Sequence, residues 1–346
     1  MPRRKSPPLR STAVVTAVFM ALALLALGAP AHAADTDYKG WYGNLDLALS
    51  QPNSLDQDFA NHSRATGTGT AQNERLSMDN DTSLTYRLDV GYSWGRKGRL
   101  QVSFWQFDND DSRGDTLNGG VYPTIFGYGT YGAQYIFNPS GVDFEATSNT
   151  KASTWDVDFI RPMRAGDTLT INWLAGLRVA KFEEDQSFEG FDGVYTYTQD
   201  KHIESNAVGL RVGATMAFNF TKHFGVEAGA AFSFLQGDTE GISHQSCPAG
   251  SSCDAGGVTS RESNEAQDDA VRGDIQDYHL RAVWSSGPLD WYVGYGMSAW
   301  GGIAADPVPA IISGVGGSPP QTRNNISFNG FDVGVRWRFG DLWAHR

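Results

Sequence analysis

The sequence predicts an all-β fold: a transmembrane antiparallel up-and-down β-barrel of about ten strands, with short periplasmic turns and long extracellular loops, and twelve strands as the alternative. Three observations carry this. An export leader opens the chain, short and long connections alternate between strand-like segments, and those segments set large apolar residues against glycine and charge.

The leader comes first. Arg3, Arg4, Lys5 and Arg10 precede an apolar run from Ala13 to Leu27, and Ala31-His32-Ala33 has the small-x-small pattern of a signal-peptidase site. We read residues 1–33 as a cleaved secretory signal peptide, 34–339 as the barrel and 340–346 as a short C-terminal tail. No later run approaches the roughly eighteen apolar residues of a membrane helix. A closed barrel is the other architecture that satisfies every backbone group in lipid. The composition agrees, since 40 Gly, 10 Trp, 13 Tyr and 19 Phe accompany a mean hydropathy of −0.37.

The formal charge of −12 becomes −16 once the four leader cations are set aside. Phosphate contacts need clustered Lys and Arg, so this acidity excludes nucleic acid as a partner.

Period-two alternation then marks the strands in order. Trp41–Ser50 opposes Leu45, Leu47 and Leu49 to Asn44, Asp46 and Ala48. Ser83–Trp94 opposes Leu84, Tyr86, Leu88, Val90, Tyr92 and Trp94 to Arg87, Asp89 and Gly91, and Gly95-Arg96-Lys97-Gly98 turns tightly into Arg99–Phe107. Ser153–Ile160 joins Leu169–Lys181 through Pro162 to Asp167, Val208–Phe220 joins Val226–Leu235 through Thr221-Lys222-His223, and Tyr278–Ser285 joins Leu289–Trp300 through Ser286-Gly287-Pro288. Phe331–Phe339 closes the series. Between the hairpins lie polar stretches at 51–81, 108–152, 183–205, 237–277 and 301–325, read as external loops. Within the second of these, Gly120–Phe137 carries Tyr131, Ala133, Tyr135 and Phe137 on alternate positions, which is the source of the twelve-strand alternative. Pro123 and the neighbouring glycines favour a loop folded over the mouth.

Successive strand side chains face opposite sides. With the apolar set facing lipid, Asp46, Arg87, Asp89, Asp156, Asp158 and Arg178 face the lumen, together with Arg211, Glu227, Arg281, Asp332, Arg336 and Arg338. Six cations and six anions in one interior are expected to pair. Gly91, Gly176, Gly209, Gly213, Gly229, Gly294 and Gly334 share that inner face, where room is scarce. Trp41, Tyr42, Trp94, Trp155, Trp284, Trp291, Trp300 and Trp337 fall near strand ends and suit the two interfacial girdles.

Cys247 and Cys253, in SCPAGSSC, read as a short disulfide loop in an exported protein; with His244 they make too poor a ligand set for a metal site. Asp156-x-Asp158 and Asp277-x-His279 match the spacing of the paired carboxylates and the Asp-His pair of omptin-type outer-membrane proteases, and both pairs are expected near the outer ends of their strands. Partners for luminal arginines explain those carboxylates more economically, so no catalytic residue, cofactor or metal is assigned. Asp108, Asp110, Asp111 and Asp115 in FDNDDSRGD lack a full calcium-loop ligand pattern and read as solvated loop, with loose divalent binding bridging to lipopolysaccharide phosphates.

Asp332, Gly334, Trp337 and Phe339 resemble the terminal signal of outer-membrane proteins, polar-x-Gly-x-x-aromatic-x-aromatic, which implies reading by the outer-membrane assembly machinery. Residues 340–346 then follow where the signal usually ends a chain. GWYGNLDLALSQP, TWDVDFIRPMRAGDTLTINWLAGLRVAKFEED, KHFGVEAGAAFSFLQGD and NGFDVGVRWRF resemble the family of pore-forming proteins typified by the Legionella major outer membrane protein. That resemblance implies a Gram-negative outer-membrane location, contact with lipid and lipopolysaccharide, no cofactor and a porin-like or surface role. The net charge adds a cation preference. A barrel of about ten strands lies near the size that its own side chains fill, so a closed surface barrel acting through its external loops is the alternative.

Overall fold

The computed structural model describes residues 38–53, 58–65, 71–78, 82–123, 136–164, 168–246, 248, 260–303 and 325–339. The predicted signal peptide, the tail at 340–346, the Cys247–Cys253 pair and Tyr131, Ala133 and Tyr135 lie outside the described residues. Among the described residues there are twelve strands: β1 (Lys39–Asn53), β2 (Asp58–Ala65), β3 (Ala71–Ser77), β4 (Ser83–Trp94), β5 (Arg99–Pro123), β6 (Ile136–Arg164), β7 (Leu169–Phe191), β8 (Thr196–Asn219), β9 (Phe224–Ser246), β10 (Ser260–Ser286), β11 (Leu289–Gly301) and β12 (Ile326–Arg338).

Ten of them form the barrel. Each of β4 to β12 pairs antiparallel with its sequence neighbour, and β1 lies between β4 and β12 and shuts the ring. The closing ladder sets Leu45 opposite Val335 and Leu47 opposite Val333, so the first and last strands share one outer apolar face. The two strands beyond ten come from a region read as loop. β2 and β3 form a hairpin that joins β5 only at its outer tip, with Ala60 opposite Pro123. Gly120 to Pro123 and Ile136 to Phe137 are simply the ends of β5 and β6.

The polar stretches are the main departure from expectation. Much of 108–152, 183–205 and 237–277 continues the strands: β6 is 29 residues long, β10 27 and β5 25. Their outer faces change from apolar to charged above Trp155, Val179, Val208 and Phe234, but the ladder does not stop there, since backbone pairing is indifferent to what the side chains face. β1, β4, β11 and β12 remain short, so the wall from β5 to β10 stands far above the other side. A tight turn at Asp192-Gly193, with Gly193 at φ 92°, links β7 to β8 at the top.

The packing is inverted relative to a soluble protein. Leu210, Phe234 and Phe331 are 64%, 66% and 70% exposed on the outside, while Asp156, Asp158 and Arg178 are 1% exposed within. A continuous outer apolar face of this kind is a lipid-facing band. Trp41, Trp94 and Trp155 stand on it, and Trp284, Trp291 and Trp337 are half-buried beside neighbours. Tyr42 and Trp300 depart from the predicted girdle: both are buried and point inward. Tyr42 shares the parity of Asn44 and Asp46, and Trp300 that of Ser298 and Gly296, so the pleat overrides their position near a strand end.

Candidate functional site: the charged lumen

The inner face is built in layers. Its middle layer is a belt of charge drawn from strands all around the ring. Asp156 on β6 accepts two hydrogen bonds from Arg178 on β7, Nε to Oδ1 at 2.6 Å and Nη2 to Oδ2 at 2.7 Å. These lengths are typical of a bidentate, charge-assisted pair. Arg178 also reaches across the lumen to Asp277 on β10 at 2.7 Å. Arg211 on β8 pairs with Asp158 and with Asp277, the latter at 3.3 Å. Arg87 donates to Asp89 at 2.9 Å, and Asn44 donates to the other oxygen of Asp89 at 2.8 Å.

A second cluster faces the first. Arg281 joins Asp46 on β1 and Asp332 on β12, the latter at 2.6 Å, and its guanidinium lies 4.4 Å from the centre of the Tyr292 ring. Toward the periplasmic end the pairs loosen. Arg336 meets Glu227 at 3.4 Å, His279 meets Glu227 at 3.5 Å, and Arg338 meets Asp290 at 3.4 Å.

All twelve charges named from the sequence thus lie on the inner face and engage one another or a close neighbour. Several participants were not named. Asp277 and His279 were considered only as a catalytic motif, yet both belong to the belt; four positions separate Asp277 from Arg281, which gives them one face. Asp290 has the parity opposite to Trp291 and Val293, a signal that was present and unused. Asn44, Tyr292 and Arg99 gave no signal beyond parity. The paired carboxylates also stand elsewhere than expected. β6 continues outward from Asp156 to Ile136 and β10 from Asp277 to Ser260, so both motifs lie at mid-barrel, because the strands extend well past the apolar band.

Glycine makes the belt possible. A Cβ on Gly334 would strike the Tyr292 ring, one on Gly176 the Asp158 carboxylate and one on Gly229 the His279 ring. Each glycine therefore seats a large inward group from the next strand.

Above the belt the lumen turns apolar. Phe107, Phe182, Leu235, Ile275, Trp300, Ile303, Ile326 and Phe328 are buried together, with Trp105 packed against them. The aromatic members interlock at ring-centre distances of 4.7 Å for Phe107 and Phe328 and 5.3 Å for Trp105 and Phe328. Trp300 ties this layer to the belt: its indole N–H donates to Ser298, whose hydroxyl donates to Asp277. Higher still, Leu76 and Met78 pack with Val121, Val142, Phe144, Phe188 and Tyr197 inside the tall wall.

Three cavities of about 120 Å³ each follow one another up the lumen. The lowest, at the periplasmic mouth, is lined by Tyr38, Arg99, Arg336 and Arg338 and shares Tyr42, Arg99, Glu227 and Arg336 with the middle one. The middle cavity shares Arg87, Asp277, His279 and Arg281 with the highest, which ends against Trp105 and Phe328. Each has room for several waters.

The crown outside the apolar band is acidic. At its tip Asp192 accepts hydrogen bonds from the backbone N–H of Tyr195 at 2.7 Å and Val194 at 2.9 Å, and from the Tyr197 hydroxyl at 2.8 Å. Partial burial raises the pKa of this carboxyl, but the three donors outweigh it and hold the group below its ordinary value.

Solved structures that align over most of this chain do so at low sequence identity. The outer membrane protease OmpT of Escherichia coli aligns with a TM-score of 0.44 at 8% identity, over 87% of this chain and 97% of that one. The toluene transporter TodX of Pseudomonas putida aligns at 0.35 and 9% identity, over 87% and 90%. A FadL homologue of Pseudomonas aeruginosa aligns at 0.24 and 7%, over 91% and 93%. No curated protein matches the sequence. The family defined by the Legionella pneumophila major outer membrane protein precursor matches residues 46–339, so nearly the whole barrel, and with it this outer-membrane chain, belongs to that family.

Proposed function

We propose that the barrel is a narrow, cation-preferring pore whose apolar layer is its gate. The observation that carries this is the run of three cavities with shared lining residues from the periplasmic mouth to Trp105 and Phe328, where buried aromatic and aliphatic side chains interrupt it and a second apolar cluster around Phe144 and Phe188 follows higher up. An apolar constriction excludes water and ions until its side chains part. The acidic crown supports cation preference, because carboxylates at an outer mouth raise the local concentration of cations. The reading assigns no catalysis: Asp156, Asp158 and Asp277 are engaged by Arg178 and Arg211, which supports a structural role for them.

The same reading includes export by a cleaved signal peptide to a Gram-negative outer membrane, insertion directed by Asp332, Gly334, Trp337 and Phe339, and divalent bridging from crown carboxylates to lipopolysaccharide. A second reading, a closed surface barrel acting through its crown, is favoured by the complete burial of Trp300, Phe107 and Phe182 in the lumen.

Single-channel recording in a planar bilayer under a salt gradient separates the two. The pore reading expects small, brief, cation-preferring steps from residues 34–346, lengthened in Phe328→Ala and Trp300→Ala. Silence from a folded barrel and from both variants overturns it and leaves the surface reading.

A further inference from the structure

We infer that the periplasmic vestibule holds a small oxyanion, phosphate or carboxylate, on Arg99. This site stands whether or not the lumen conducts. Three guanidinium groups, Arg99, Arg336 and Arg338, line a cavity of about 120 Å³ that contains only two carboxylates, Glu227 and Asp290. Both carboxylates are already used, each at 3.4 Å from its arginine. Arg99 receives neither. Its guanidinium lies 5.5 Å from the centre of the Tyr42 ring, and among the described residues no carboxylate pairs with it. Its Nε is buried without a hydrogen-bond partner, and so is the Nε of Arg338, a residue only 7% exposed that lines the same cavity.

An unpaired cation in a half-enclosed site is costly unless a counter-charge reaches it. The planar fork of arginine suits a two-oxygen anion, and the Tyr42 face below it orients that fork. The residues that make the cavity face the lumen, so a free ion fits the site better than a lipid headgroup, although both present the same chemistry.

The test is titration of the refolded protein with inorganic phosphate, in a non-ionic, phosphate-free detergent at constant ionic strength, followed by calorimetry. Saturable binding is expected, weakened by about tenfold or more in Arg99→Gln and unchanged in Lys97→Gln, which alters an exposed cation of the adjoining turn. Arg99→Gln removes a charge that has no carboxylate partner, so the barrel is expected to fold; Arg99→Lys keeps the charge, loses the fork, and gives an intermediate affinity. Absence of saturable binding of both phosphate and short-chain phosphatidylglycerol, equal affinity in Arg99→Gln, or equal loss in Lys97→Gln overturns the site. Binding of short-chain phosphatidylglycerol with the same Arg99 dependence, but not of phosphate, supports the site and assigns its anion to lipid.

Discussion

The two ends of this barrel carry opposite charge. The periplasmic end carries Arg96, Lys97, Arg99, Lys222, Arg336 and Arg338 against Glu227 and Asp290, whereas the extracellular crown displays Asp108, Asp110, Asp143, Glu183, Glu189 and Asp200. A net charge of −12 therefore describes neither mouth. It also says nothing of the belt between them, where cations and anions are matched and buried. Charge in the crown is solvated and contributes little to stability; charge in the belt is desolvated, and every member depends on its partners.

The largest expected effect tests that contrast directly. Asp156→Ala removes the bidentate partner of Arg178, leaving it Asp277 alone, weakens the setting of Arg211 and Arg87, and is expected to cost about 3–5 kcal/mol. Asp108→Ala in the crown is expected to stay within about 0.5 kcal/mol. Unfolding midpoints of the two refolded variants in denaturant decide it, and equal losses would break the distinction between belt and crown.

A smaller effect probes the room that glycine leaves for the belt. Gly334→Ala drives a Cβ into the Tyr292 ring, displacing the group that hydrogen-bonds Asn44 at 2.8 Å. A loss of about 1–3 kcal/mol is expected, while an outward alanine such as Ala214→Gly should cost less. The denaturant midpoint sharpens the comparison here because no charge is altered.

The smallest effect belongs to the crown tip. Asp192 has a depressed pKa, so its stabilisation is present above the ordinary carboxylate value of about 3.9 and is lost as pH falls through its lower folded value. Asp192→Asn is expected to reduce protection of the Val194 and Tyr195 amides about fivefold or less at neutral pH, in keeping with net hydrogen-bond energies near 1 kcal/mol, and to remove the acid dependence. Hydrogen exchange from pH 3 to 7 shows whether the tip responds while the belt stays protected.

How far the site was legible depends on which physical rule governed each residue. Parity governed the belt: wherever a strand was marked, the inward position of its charged residues followed, as for Arg178 and Asp332. The same parity would have corrected Tyr42 and Trp300, which were placed by nearness to a strand end instead. The tall wall from β5 to β10 was hidden because its outer face is as polar as a loop, and only backbone pairing shows that it is sheet. Which arginine meets which carboxylate was hidden too, since Arg178 and Asp277 meet across the lumen from strands separated by two others in the ring.

The amino-acid sequence by itself determined the inverted barrel, its ten membrane strands and their inner and outer faces, because period-two alternation is a local property of an extended chain. Closure of the ring alone decided the cross-luminal partners, the apolar layer that interrupts the cavities, and the arginine left without a carboxylate. Those outcomes depend on distances between residues far apart in the chain, which no local pattern encodes.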